Sequence, residues 1–468
     1  MLRQQQHSVD SVGHLTLSDQ ETQAGNTVIA TGVRLHPLAH PPVFLHCGWR
    51  TRGTWVWDRF RRMHSVACYY EPLHETLASV SSDTLASING ESWPSGHRGL
   101  DRPYFDEFRP LLKRNGPGVD GYHTRFAADD FFAEPDTALP ELDHYLRRLI
   151  RTAQERGEQP VLKLCRSVGR IGWMQRHFPE AVHIVVLRNP CAQFASALRQ
   201  FVLYGNAYFL AMPLLLLAMH RDLPAVSACI RHLGTELPSL PESHSLRARL
   251  AACEASVRCS SPAAWYRDFL AFWVLTAATT PVTVDSIINS DLLERSNRCR
   301  RQCEIELTTL TGQTVDFGDA GCSDSTRRPD VMCLRRSEIL DAHRGAETFL
   351  AEQVGAGWAD RRGLRDVAMM LTETVRQASC LEGSVPPDVE RDFELMLSAM
   401  GRAAWAEREL GVAERELTAI HASLSWRITA PLRWLRRQMR QTCALKPIHW
   451  VSDRLAAKAR HDATTGRV

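Results

Sequence analysis

The sequence predicts an α/β fold: a P-loop-like, doubly wound parallel sheet flanked by helices, with a helical C-terminal extension. Three observations predict it. Largely apolar runs of strand length recur at residues 43–47, 65–70, 161–165 and 182–187, and near-continuous apolar character marks strands buried on both faces. Segments with helical spacing lie between them, and strands alternating with helices indicate a parallel sheet. The first run, preceded by Pro41 and Pro42, leads through a loop bracketed by Gly48 and Gly53 into a helical pattern of Val56, Phe60 and Met63.

Strand, glycine-bearing loop and helix is an arrangement that cradles an anion. N–H groups at the helix start point into the loop, and the dipole favours negative charge there. Arg50, Thr51, Arg52 and Thr54 add side-chain donors. Gly48 and Gly53 have the spacing of the Walker A pattern, G-x-x-x-x-G-K-[ST]. Thr54, however, stands in place of its Lys, and Trp55 in place of its Mg²⁺-binding hydroxyl. The loop therefore suits a phosphate neutralised by arginine and backbone better than ATP–Mg²⁺. Trp55 offers a face on which an adenine ring could stack.

The remaining elements follow in order. Residues 1–40 are polar and unpatterned and read as a flexible extension. The second strand ends on Glu71-Pro72-Leu73-His74-Glu75. Residues 76–135, rich in Ser, Gly, Pro and Asp, are long for a connection and read as an insertion covering the substrate. A helix is expected over 139–156, with Leu142, Leu146 and Leu149 on one face, and another over 168–178. Residues 209–219 read as a buried helix interrupted by Pro213, and a helix over 265–276 precedes a fifth strand at 282–284. The α/β domain thus covers 41–335, followed by a helical region at 336–424 and a basic amphipathic tail at 425–468.

With 468 residues the chain has room for one large α/β domain and appendages. Its 56 Lys and Arg against 53 Asp and Glu give a net charge of +3, so no global field for nucleic acid is expected. Only Lys113, Lys163, Lys446 and Lys458 are lysine. Lys163 lies inside an apolar strand, where an unpaired ammonium is costly. It is expected to face an anionic site or pair with an acid. Arg166, just past the strand, is a similar candidate, and both are assigned to substrate binding. The 13 Cys lack tandem spacing. Cys299, Cys303, Cys322 and Cys333 can be drawn as a zinc set, but their irregular spacing favours reduced structural thiols, a cytoplasmic setting and no metal. The first ten residues lack an apolar core, so no secretory signal is expected, and residues 209–219 are too few to span a bilayer.

The fourth strand runs into Arg188-Asn189-Pro190, and Ser196 lies eight residues after Arg188. Together with Arg50-Thr51-Arg52-Gly53-Thr54-Trp55 this resembles the PAPS-dependent sulfotransferases, over about residues 41–330. In that family a loop of the form basic–Ser/Thr–Gly–Thr, often followed by Trp, holds the 5′-phosphosulfate. An Arg at a strand end, with a Ser eight residues later, holds the 3′-phosphate. The resemblance implies that Arg50, Thr51, Arg52, Gly53, Thr54, Trp55, Arg188 and Ser196 bind PAPS. Thr51 and Arg52 both intervene between Arg50 and Gly53 where the family has one hydroxyl residue, so either arginine could face the sulfate. Gly48, Glu71 and Arg188 each follow a predicted strand, and such strand ends converge where a doubly wound sheet binds ligands.

Sulfuryl transfer needs a base for the acceptor hydroxyl and cations for the charge that builds on oxygen, as phosphoryl transfer does. Arg50 or Arg52 supplies charge. Carbohydrate sulfotransferases place a Glu, often as Glu-Pro, after the second strand, which implies Glu71 as the base, with a pKa raised by desolvation. His74 and Glu75 are its neighbouring alternatives. Residues 423–433, S-L-S-W-R-I-T-A-P-L-R, resemble a segment near the ends of bacterial glycosyltransferases that build surface polysaccharides. Residues 426–468 carry ten Lys or Arg against two Asp or Glu, a composition suited to an anionic membrane surface. The expectation is a metal-independent sulfotransferase, cytoplasmic and peripheral at the inner face of the membrane. It would move a sulfuryl group from PAPS to a hydroxyl of a glycan or lipid-linked saccharide. The alternatives are a P-loop ATP-dependent kinase and a non-catalytic interaction protein with the same fold. A glycosyltransferase is disfavoured because no Asp-x-Asp occurs in the chain.

Overall fold

The computed structural model describes residues 40–88, 100–242, 245–280, 283–318, 334 and 336–355. The expected N-terminal extension, most of the 336–424 region and the basic tail lie outside the described residues. β1 (Val43–Cys47) leads through the glycine loop into α1 (Gly53–Arg61), and β2 (Val66–Tyr70) follows. After the short α2 (Ser82–Ser87) and the longer α3 (Pro140–Gln154) come β3 (Gln159–Leu164), α4 (Ile171–His177) and β4 (Val182–Leu187). A helical run continues with α5 (Pro190–Tyr204), α6 (Tyr208–Met219), α7 (Pro224–Leu233), α8 (Leu246–Cys259) and α9 (Pro262–Ala278). Then come β5 (Ser286–Asn289), α10 (Ser290–Arg295), α11 (Asn297–Thr311) and α12 (Arg336–Gly355).

The strands form one parallel sheet in the order β2-β3-β1-β4-β5. β1 is its centre, with Val43 paired to Val161 on one side and to Val182 on the other. From β1 the chain travels outward past β3 to β2, whereas from β4 it travels the opposite way to β5. The loops leaving β1 and β4 therefore diverge, and a crevice opens over their C-terminal ends. Every residue of β1, β2, β3 and β4 is buried, and each fully buried Val, Leu or Phe contributes about 1.5–3 kcal/mol. Helix starts are set locally. Pro opens α3, α5, α7 and α9, where an N–H has no intrahelical partner to lose. Asn189 caps α5 by accepting from the N–H groups of Cys191 and Ala192.

Several expectations change. The fifth strand is Ser286–Asn289, not 282–284; it is an edge strand whose residues alternate buried and half-buried, so an apolar run is not its signature. The segment 76–135 contributes to the core instead of merely covering it: Tyr104, Phe105, Phe108, Phe126 and Phe131 are all buried. α12 packs against α7 and α9 with Ile339, Ala346 and Phe349 buried. The helical region thus begins inside the same hydrophobic core. α6 is the buried apolar helix with Pro213 inside it, and among the described residues no helix is long and apolar enough to cross a membrane.

Candidate functional site

The C-terminal ends of β1, β2, β3 and β4, with α5 and the start of α6, enclose a cavity of about 400 Å³. Arg50, Arg52, Lys163, Arg166 and Arg188 line it with one carboxylate, Glu71, while Glu294, Glu75 and Asp291 pair with Arg52, Arg166 and Arg188 from behind the lining. Three non-glycine residues have a left-handed backbone among the described residues: Arg50 (φ 66°), Arg52 (φ 69°) and Glu71 (φ 46°). All three line this cavity. Each costs on the order of 1–2 kcal/mol, so backbone strain is concentrated where the strand ends meet.

The loop after β1 is tightly held. The Thr51 hydroxyl donates to the Gly48 carbonyl at 2.8 Å, and Gln193 Nε2 of α5 donates to the Trp49 carbonyl at 2.6 Å. Gly53 is required by space: a Cβ there would stand 2.4 Å from Cys47 Sγ and 2.6 Å from Cys47 Cβ. Arg52 is the N-cap of α1, in the left-handed region, and its side chain makes no capping hydrogen bond. The start of α1 therefore presents N–H groups with no side-chain cap, the arrangement that favours an anion.

The two sequence motifs meet. Arg50 Nε donates to Ser196 Oγ at 3.0 Å, and Arg188 Nη1 donates to the Arg50 carbonyl at 3.0 Å. The Arg50 guanidinium also stands 5.0 Å over the Phe209 ring. Burial, and after it the neighbouring Arg188, lowers the Arg50 pKa to about 10. Arg188 faces Asp291 of α10 at 3.5 Å. Arg52 turns to Glu294 at 2.5 Å, so of the two loop arginines Arg50 is the one joined to Ser196. Thr54 Oγ1 lies 3.4 Å from the Tyr70 hydroxyl. The Trp55 face is already in use. Its ring stacks on Phe317 at 5.1 Å, with the Arg59 guanidinium at 4.8 Å, contacts that an adenine would have to displace.

On the other side of the cavity, Glu71 binds two cations and a backbone donor. Lys163 Nζ donates to Oε1. Cys165 N–H at 3.1 Å and Arg166 Nη1 at 3.3 Å donate to Oε2. Burial alone would raise the Glu71 pKa; Lys163 and then Arg166 outweigh it and hold the carboxyl below its ordinary value. The expected direction is therefore reversed. Burial also works against the Lys163 ammonium, but the Cys165 sulfur and Glu71 hold its pKa above the ordinary lysine value. Arg166, fully buried, donates further to Glu75 at 2.5 Å and to the Tyr208 hydroxyl. It is a strut between carboxylates more than an open substrate contact. Burial lowers the His74 pKa to about 4, and its Nδ1 accepts the Thr76 N–H at 3.1 Å. A neutral ring so bound carries its proton on Nε2, which leaves His74 ill-suited as a base.

Tyr70, Asn206, Tyr208 and Phe209 also line the cavity and were not anticipated. Tyr70 adjoins Glu71 and offered a signal. Asn206 lies in the turn before α6, and Tyr208 and Phe209 open that apolar helix, whose place in the fold no local pattern reveals. Cys299 and Cys303 belong to α11, whereas Cys322 and Cys333 lie outside the described residues. No family model, curated protein or solved structure matches the chain.

Proposed function

We propose that the protein is a sulfotransferase on a P-loop-like α/β scaffold. It moves a sulfuryl group from PAPS to a hydroxyl of a glycan or lipid-linked saccharide, without a metal. One observation carries the reading: five cationic side chains and the uncapped start of α1 converge on one cavity at the strand ends. PAPS has two anionic ends, and the cavity offers cationic side chains to both. Arg188 and Ser196 suit the 3′-phosphate. Arg50, the N–H groups of Gly53 and Thr54, and Lys163 suit the 5′-phosphosulfate. Bound PAPS supplies an activated sulfuryl group. Transfer breaks its S–O bond to phosphate, leaves the electron pair on PAP, and forms an S–O bond to the acceptor oxygen.

The chain's own residues do the rest. Arg50 and Lys163 offset the charge on the oxygens, an effect that is large in a buried site. Glu71, which lines the cavity as a carboxylate, takes the hydroxyl proton. The saccharide acceptor and the membrane-side location rest on the resemblance of the C-terminal segment to those of glycosyltransferases. Nucleotide selectivity tests the reading. PAP should bind more tightly than ADP, and EDTA should make no difference. A preference for ATP–Mg²⁺ would instead support a kinase.

A further inference from the structure

The Glu71 carboxylate is held unevenly. Oε2 takes its hydrogen bonds from rigid donors, the Cys165 backbone N–H and Arg166, and Arg166 is fixed in turn by Glu75 and Tyr208. Oε1 is held by the tip of one long side chain, Lys163. That side chain also reaches the loop. Its Cε lies 3.5 Å from the position a Cβ would take on Gly53, and Gly53, Thr54, Glu71 and Lys163 all line the cavity. The ammonium itself is held by Glu71 Oε1, by Cys165 Sγ at 3.2 Å and over the Tyr70 ring at 4.4 Å, while its stem passes the start of α1.

We propose that Lys163 is an exchange residue: an anion bound at Gly53 and Thr54 draws its ammonium off Glu71 Oε1, and the vacated oxygen becomes the proton acceptor. The inference rests on the sulfotransferase reading for the identity of the anion. The physics needs little motion. A lysine ammonium is a compact charge on a flexible stem with three donors, so it can rotate from one anion to another within the same pocket. A phosphosulfate offers more charge than one carboxylate and brings it to where the α1 dipole already favours it. When Lys163 leaves, Glu71 loses the neighbour that most favours its ionised form, and its proton affinity rises. Arg166 and the Cys165 N–H keep the carboxylate in place through Oε2. The base is thus masked until the donor is seated, and binding is ordered, anion first and acceptor second.

The chain has four lysines, which makes the exchange visible. With ¹³C-labelled lysine in the full chain, the Lys163 Cε signal is assigned by its loss in Lys163→Met. Lys163→Arg serves the same purpose if the Met variant does not fold. The exchange predicts a saturable shift of that signal as PAP is added. It also predicts that Glu71→Gln, which competes less for the ammonium, binds PAP about tenfold more tightly while losing turnover. A static ion pair predicts neither. If calorimetry shows PAP bound but the Lys163 signal stays fixed, or if Glu71→Gln binds no tighter, the exchange is overturned and the sulfotransferase reading stands. If PAP does not bind, that reading fails and inorganic sulfate becomes the probe. A Lys163 shift with sulfate then retains the exchange as a response to anions, and no shift overturns it too.

Discussion

Gly53 shows how one residue sets the loop. Its α-carbon faces the Cys47 side chain so closely that any side chain would collide with both Sγ and Cβ. Gly53→Ala should cost about 1–3 kcal/mol of stability, the usual range for overpacking, and weaken PAP binding at least tenfold. Urea denaturation and calorimetry measure the two effects. Cys47→Ala should not rescue it, because the Cys47 Cβ remains 2.6 Å away; full rescue would mean that the loop tolerates a side chain. Arg50, Arg188 and Ser196 were legible through the resemblance of two short motifs, each of which begins at a strand end. The partner of Lys163 was not. Glu71 follows Tyr70, which pairs in register with Lys163 across the β2–β3 ladder, and that register is a tertiary property. For the same reason a pKa argument from burial alone gives the wrong direction for Glu71.

Among the elements, β1, β2, β3 and β4 could be read directly, since strands buried on both faces are near-continuously apolar. β5 could not, because an edge strand reading Ser-Ile-Ile-Asn has no such run. Nor could the docking of α12, whose place depends on faces of α7 and α9 distant in sequence. It is anchored by a buried chain in which the Tyr266 hydroxyl lies 2.7 Å from His343 Nε2 and 3.2 Å from Cys191 Sγ. Phe349 is fully buried in this interface. Phe349→Ala should lower unfolding free energy by about 3–5 kcal/mol without changing PAP affinity. A stability change under about 1 kcal/mol would mean that α12 is dispensable to the core.

For the whole molecule, buried histidines set the response to acid. Burial, and then His183, holds His46 neutral well below the ordinary histidine range, and burial lowers His74 and His343 to about 4. Unfolded, each takes a proton below about pH 6.5; folded, each stays neutral to much lower pH. Between those limits the unfolded chain binds more protons. Stability therefore rises with pH and is lost on acidification, at up to about 1.4 kcal/mol per pH unit for each histidine. Asp268, which burial pushes up to about 7, and Glu107, also raised by burial, act the other way. The histidines outweigh them, so unfolding free energy should fall by on the order of 2 kcal/mol from pH 6.5 to pH 5. Greater stability at pH 5 in urea denaturation would contradict this balance.

The most direct test of the central claim is calorimetric titration of PAP into the wild-type chain and into Arg188→Ala, with EDTA present throughout. The account predicts saturable binding to the wild type. Loss of a charge-assisted hydrogen bond worth about 1.5–3 kcal/mol should weaken binding by Arg188→Ala at least tenfold. Absence of PAP binding to the wild type, or equal affinity in Arg188→Ala, would contradict the assignment of this cavity to PAPS.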